Sequence, residues 1–173
     1  MSWGDLLLLI TLLGIIYEDF NYRGIHWWWL LLLLLSILGW RPWNYEQIVI
    51  NWGFLISQFI LLTAYFSFKR KAFTCIIDQY LGLGDILFLL VIAILFSPFN
   101  FLLFFLGSLI TSLVFFLVYQ SLFPAPSAPT IPLAGAMAIT LIIVLFASEI
   151  FKHPIHLDYF TLRKFSTFWS FNF

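Results

Sequence analysis

The stretch IVINWGFLISQFILLTAYFSF, Ile48 to Phe68, runs without one charged residue. A helix that crosses a bilayer needs roughly 20 such residues, within a range of about 17 to 25. Five more apolar stretches flank it: Trp3–Tyr17, Ile25–Trp40, Gly84–Phe96, Phe101–Tyr119 and Ile131–Phe151. The fourth begins at Ile76 if the glycines before it are embedded. The whole chain is 63% hydrophobic and only 9% charged, with a mean hydropathy of +1.04. A water-soluble domain of this size cannot hide that much apolar surface, so the expectation is an all-α polytopic membrane protein of about six transmembrane helices. Residues 1–151 form the six-helix membrane core. Residues 152–173, aromatic and mildly basic, form an interfacial or partly disordered tail.

The connections carry turn chemistry: Pro42 and Asn44, then Ser97-Pro98-Phe99-Asn100, then the proline-rich run Pro124 to Pro129, which cannot be helical. Met1 to Asp5 lacks the positive start of a signal peptide, so the first segment reads as a retained span. The formal net charge is zero, which provides no basic field for nucleic acid. The single cysteine, Cys75, rules out an intramolecular disulfide and a cysteine-rich zinc site.

Two acids stand at segment ends. Asp19 closes the first segment, and Asp85 opens the fourth within Gly82-Leu83-Gly84-Asp85. Carboxylates beside a bilayer are costly and mark function by default. Parity puts both on the same side of the membrane. Lys69, Arg70, Lys71 and Arg23 fall on that side, which makes it cytoplasmic by the positive-inside rule; Arg41, Lys152, Arg163 and Lys164 oppose that assignment. Neighbouring carboxylates do not readily both ionise. A pair therefore offers one charged group to take a proton from water and one neutral group to polarise a carbonyl. Gly82 and Gly84 permit close approach of another chain. The plainer alternative is that Asp19 merely ends one helix and Asp85 caps the next.

These residues carry a family resemblance. Asp19-Phe20-Asn21-Tyr22-Arg23-Gly24-Ile25-His26-Trp27, Gly82-Leu83-Gly84-Asp85-Ile86-Leu87 and Ile131-Pro132-Leu133-Ala134-Gly135 together resemble the blocks of type IV prepilin and preflagellin peptidases. Those are membrane aspartyl proteases with a Gly-x-Gly-Asp motif. The likeness spans the six-segment layout and is to a short form lacking the cysteine-containing amino-terminal domain. It implies Asp19 and Asp85 as the catalytic pair, with Gly82, Gly84 and Arg23 as motif support. It further implies endopeptidase cleavage of the leader of pilin-like precursors at the cytoplasmic face of the cell membrane, with no cofactor, no metal and no N-methylation. Two positions depart from the pattern: His26-Trp27 stand where the family has Pro-Asn, and Leu87 where a Lys is common. Those departures favour an inactive relative serving as an assembly or structural subunit of a pilus or secretion system. A small ion-coupled transporter is the remaining alternative, weakened by the absence of a repeat between the halves.

Other residues have ordinary readings. Glu18 is expected to be a solvated interfacial acid, and Asp78 a loop acid that could substitute in the pair. Glu149 pairs with Lys152 or snorkels. The tryptophans at 27, 28 and 29 resemble an interfacial anchor. Gly107, Ser108, Thr111 and Ser112, with Gly135, Ala136 and Ala138, suit close helix packing, and Gln58 an interhelical hydrogen bond. His153, His156 and Asp158 make too loose a pattern for a metal site.

Overall fold

The computed structural model describes residues 3–40, 44–71, 82–122 and 132–151. Among them the chain forms six helices and no strand: α1 (Trp3–Tyr22), α2 (Trp27–Trp40), α3 (Tyr45–Arg70), α4 (Leu83–Ile92), α5 (Pro98–Leu122) and α6 (Leu133–Phe151). Each apolar stretch of the sequence produces one helix. Asp78, Cys75, the proline-rich run and the tail 152–173 lie outside the described residues.

Among the described residues, fewer than six helices qualify as candidate spans by length and composition. Two helices are long and apolar enough to cross a membrane: α3, with 26 residues, and Pro98–Val118 of α5, with 21. The fourth stretch departs most from expectation. Its helix has 10 residues, about 15 Å at 1.5 Å per residue, half the depth of a hydrocarbon core. The backbone then turns through Ala93–Ser97, inside the protein rather than at a surface.

α6 is the centre of the bundle, with α1, α4 and α5 packed on it. α2 packs on α1 and touches α4, while α3 lies against α5. Along α1 the buried residues are Gly4, Leu8, Thr11, Leu12, Ile15 and Asp19. That spacing is one helical stripe, and Asp19 is its last member. The opposite stripe of Leu6, Ile10, Leu13 and Tyr17 is exposed and equally apolar. Apolarity alone therefore does not decide which face turns inward. Close fits and buried hydrogen bonds decide it, as they do wherever the surroundings are no more polar than the core.

One such fit is at Gly14. A Cβ there would sit 2.5 Å from the Trp29 ring, so α2 crosses α1 with an indole seated on a glycine. Trp29 is thus a packing residue, whereas Trp27 and Trp28 stay exposed and stack on each other at 3.7 Å. The small residues of α6 behave as expected, with Gly135, Ala136 and Ala138 buried. On α5, Ser108 and Ser112 are buried, and Thr111 bonds Thr140 across the interface at 2.9 Å. Gly107 has open space around it, so it contributes nothing to that close approach. The hydrogen bonds from α3 to a neighbouring helix come from Asn51 and Trp52, two turns before Gln58, where the sequence suggests one.

Candidate functional site: two carboxylates at the start of α6

A helix begins with amide N–H groups that have no partner in the helix itself. A side chain at the N-cap usually accepts from the amide two or three residues on. At the start of α6 the cap position is Pro132, whose carbonyl takes the Ala136 N–H at 3.1 Å but whose ring offers no acceptor. The amides of Ala134 and Gly135 must look elsewhere. The Ala134 N–H donates to Asp85 Oδ1 at 3.0 Å, and the Gly135 N–H donates to Asp19 Oδ2 at 2.6 Å. The two acids flagged by the sequence therefore meet on successive amides of one helical turn. The partial positive charge of a helix N-terminus suits them there.

Each acid is delivered by its own element. Asp19 sits on the buried stripe of α1 and is only 5% exposed. The chain leaves α1 sharply after it. Arg23 adopts φ 55° and its N–H closes the helix on the Asp19 carbonyl at 3.1 Å. A left-handed conformation at a residue other than glycine is uncommon, and here it keeps the Arg23 charge close enough to act on the Asp19 carboxylate. Asp85 is the third residue of α4, whose cap is Gly82. Its carboxylate reaches back to the Gly82 N–H, as an acid at that position of a helix commonly does. The plainer reading is thus partly correct: Asp85 does serve its own helix, from the third position and not from the cap. It does so while also holding α6, and it lies near enough to Asp19 for the two charges to interact.

Glycines matter here, but unequally. At Gly135 a Cβ would lie 2.9 Å from the Phe20 ring and 3.1 Å from Asp19 Oδ2. Phe20 is pinned against that backbone by an edge contact with Phe115 at 5.4 Å, so nothing there can yield cheaply. At Gly82 a Cβ would meet Asp85 Oδ2 at 3.1 Å. Gly84 faces Ile25 at an ordinary 3.6 Å and has room for a methyl group.

Glu18 differs from the solvated acid the sequence suggests. Its two oxygens take the His26 N–H and meet His26 Nδ1, both at 2.9 Å, and it is also hydrogen-bonded to the Trp29 side chain. It clips the α1–α2 connection one residue away from Asp19. The clip uses a backbone N–H that a proline at position 26 would not have. Leu87 is exposed on α4. Glu149 stands on the last turn of α6, at the opposite end from the two acids.

Close packing at Gly135 was expected from its small neighbours on α6; the capping of α6 by the two acids was not read from the sequence. The signal for that capping was Pro132: a helix that opens on a proline without a side-chain acceptor leaves two amides for other segments to satisfy. Comparison with protein-family models, with curated proteins and with solved structures finds no match.

Proposed function

We propose that this chain is a multi-pass membrane aspartyl endopeptidase that removes the leader of pilin-like precursors at the cytoplasmic face of the cell membrane. The observation that carries the reading is the seating of Asp19 and Asp85 on adjacent amides, Gly135 and Ala134. Capping alone would be served by a neutral Asn, Ser or Thr. Two carboxylates side by side repel when both are charged, so their use in place of neutral caps argues for chemistry. Each also keeps a second oxygen outside the bond to α6.

Such a pair is a general acid–base device. With one proton between them, the charged carboxylate removes a proton from water as its oxygen attacks the scissile carbonyl. The neutral one gives its proton to the carbonyl oxygen. Collapse of the tetrahedral gem-diol breaks the C–N bond: the proton taken from water passes to the departing amine, and one hydroxyl proton of the gem-diol returns to the pair, which again shares a single proton. The two acids act as a unit, so neither role belongs to one residue.

The membrane setting rests on α3 and α5 as candidate spans and on the apolar outward stripes of α1, α2 and α6. The cytoplasmic orientation rests on Lys69, Arg70 and Lys71 at the end of α3, and on Arg23 beside Asp19. A second reading, an inactive relative acting as an assembly subunit, is favoured by one observation: both acids already have a structural use as caps. The test is co-expression with pilin-like precursors in a host lacking its own peptidase, scored by gel shift. Processing by the wild-type chain supports the peptidase. Its absence across several precursors, with the chain present in the membrane, supports the subunit.

A further inference from the structure

α4 ends inside the protein, and its C-terminal carbonyls need donors. The accounting is complete at the point where the helix breaks. The Ala93 N–H bonds the Leu89 carbonyl in ordinary helical register, but the next amide, Ile94, bonds Val91, and Leu95 bonds Ile92. The change from a four-residue to a three-residue step skips the Leu90 carbonyl. The Trp52 indole N–H takes it, at 3.0 Å. Beyond it, the carbonyls of Ala93 and Phe96 both receive the side-chain amide of Asn51, at 2.8 and 2.9 Å. Asn51 is 1% exposed, and two carbonyl partners require its nitrogen, not its oxygen, at that place. Two neighbouring residues of α3 thus supply all three donors, in surroundings where an unpaired carbonyl is costly.

The other end of the same ten-residue helix carries Asp85. A helix this short moves as a rod: release at Ile92 tilts the end that holds the carboxylate. We propose that Asn51, assisted by Trp52, is a positioning residue that sets Asp85 against the Ala134 amide by anchoring the opposite end of α4. Its bearing on catalysis rests on the aspartyl peptidase reading; its bearing on the geometry does not.

Amide exchange separates the two. In the full chain in lipid nanodiscs, NMR compares the Ala134 amide, held by Asp85, with the Gly135 amide, held by Asp19. Asn51→Ala and the isosteric Asn51→Asp, which lacks the donors, are expected to speed exchange at Ala134 at least tenfold relative to Gly135. In the precursor assay they are expected to lower kcat at least tenfold with KM nearly unchanged. Asn51→Gln, which keeps two donors, restores part of both. If the Asn51 variants do not fold, Trp52→Phe decides the matter, with a smaller shift at Ala134 in the same direction. Unchanged exchange at Ala134 in folded variants, or an equal rise at both amides, overturns the proposal. If wild-type protein cleaves no precursor, the exchange result still stands or falls by itself.

Discussion

The two ends of α4 solve one problem with opposite chemistry. Where α4 breaks at Ile92, orphan carbonyls are met by neutral donors, the Asn51 amide and the Trp52 indole. Beside its start, the orphan amides of α6 are met by two carboxylates, Asp19 and Asp85. Neutral groups suffice at the first end, and neutral acceptors such as Asn or Ser would suffice at the second. The difference teaches that backbone satisfaction explains why polar side chains stand at both places. It does not explain why those at one place are ionisable and adjacent. The acid end asks for a reason beyond folding, and the neutral end does not.

Substitutions can break or sharpen this contrast. The largest effect is expected when an acid is removed outright. Asp19→Ala and Asp85→Ala lose the cap as well as the carboxylate, so processing falls by about 10²–10⁴-fold, the usual worth of a general acid or base. Stability drops by about 0.5–2 kcal/mol, the usual worth of a cap; gel-shift assays and denaturant unfolding in micelles read the two losses separately. Gly135→Ala comes next. Its methyl group has to displace Phe20 and Asp19, and overpacking of that kind costs about 1–3 kcal/mol. A lowered unfolding midpoint is expected, with partial recovery when Phe20→Leu is added. A normal midpoint for Gly135→Ala alone would mean the acid end is looser than described.

Smaller effects bear on the margins of the site. Glu18→Gln keeps an acceptor for the His26 N–H but loses the charge, and should cost no more than about 1 kcal/mol, as exposed pairs do. His26→Pro removes that donor and should give a loss of similar size. Gly84→Ala is expected to be neutral, or stabilising by up to about 1 kcal/mol, since alanine is the better helix former and Ile25 leaves room. A severe loss of activity in Gly84→Ala, with an intact fold, would show that substrate needs the space that Ile25 does not fill.

Much of this was legible in the sequence because it is local. Six apolar stretches gave six helices, and the cost of a carboxylate beside apolar segments singled out Asp19 and Asp85. Non-local features were hidden. Nothing between Leu83 and Phe96 announces a break at Ile92, since the run is apolar and free of glycine and proline after Gly84; the partners for the break come from α3. Asn51 looked no different from Gln58, and only the fold tells which one is turned toward α4. Trp29 matched its two neighbours in composition but has Gly14 opposite it. Glu18 seemed a surface charge because its partner, His26, lies across a turn.

On the proposed reading the acid end does the chemistry, and the neutral end takes no direct part in it but holds α4 in place. Asn substitution tests it most directly, because Asn keeps a side-chain oxygen for the α6 amides and removes the carboxylate. The measurement is processing of a pilin-like precursor by wild type, Asp19→Asn and Asp85→Asn at equal membrane levels, with unfolding midpoints recorded for all three. The expected result is processing by wild type, loss of at least about 10²-fold in each variant, and midpoints that barely move. Processing that survives either substitution would contradict the account, leaving that aspartate a cap and nothing more.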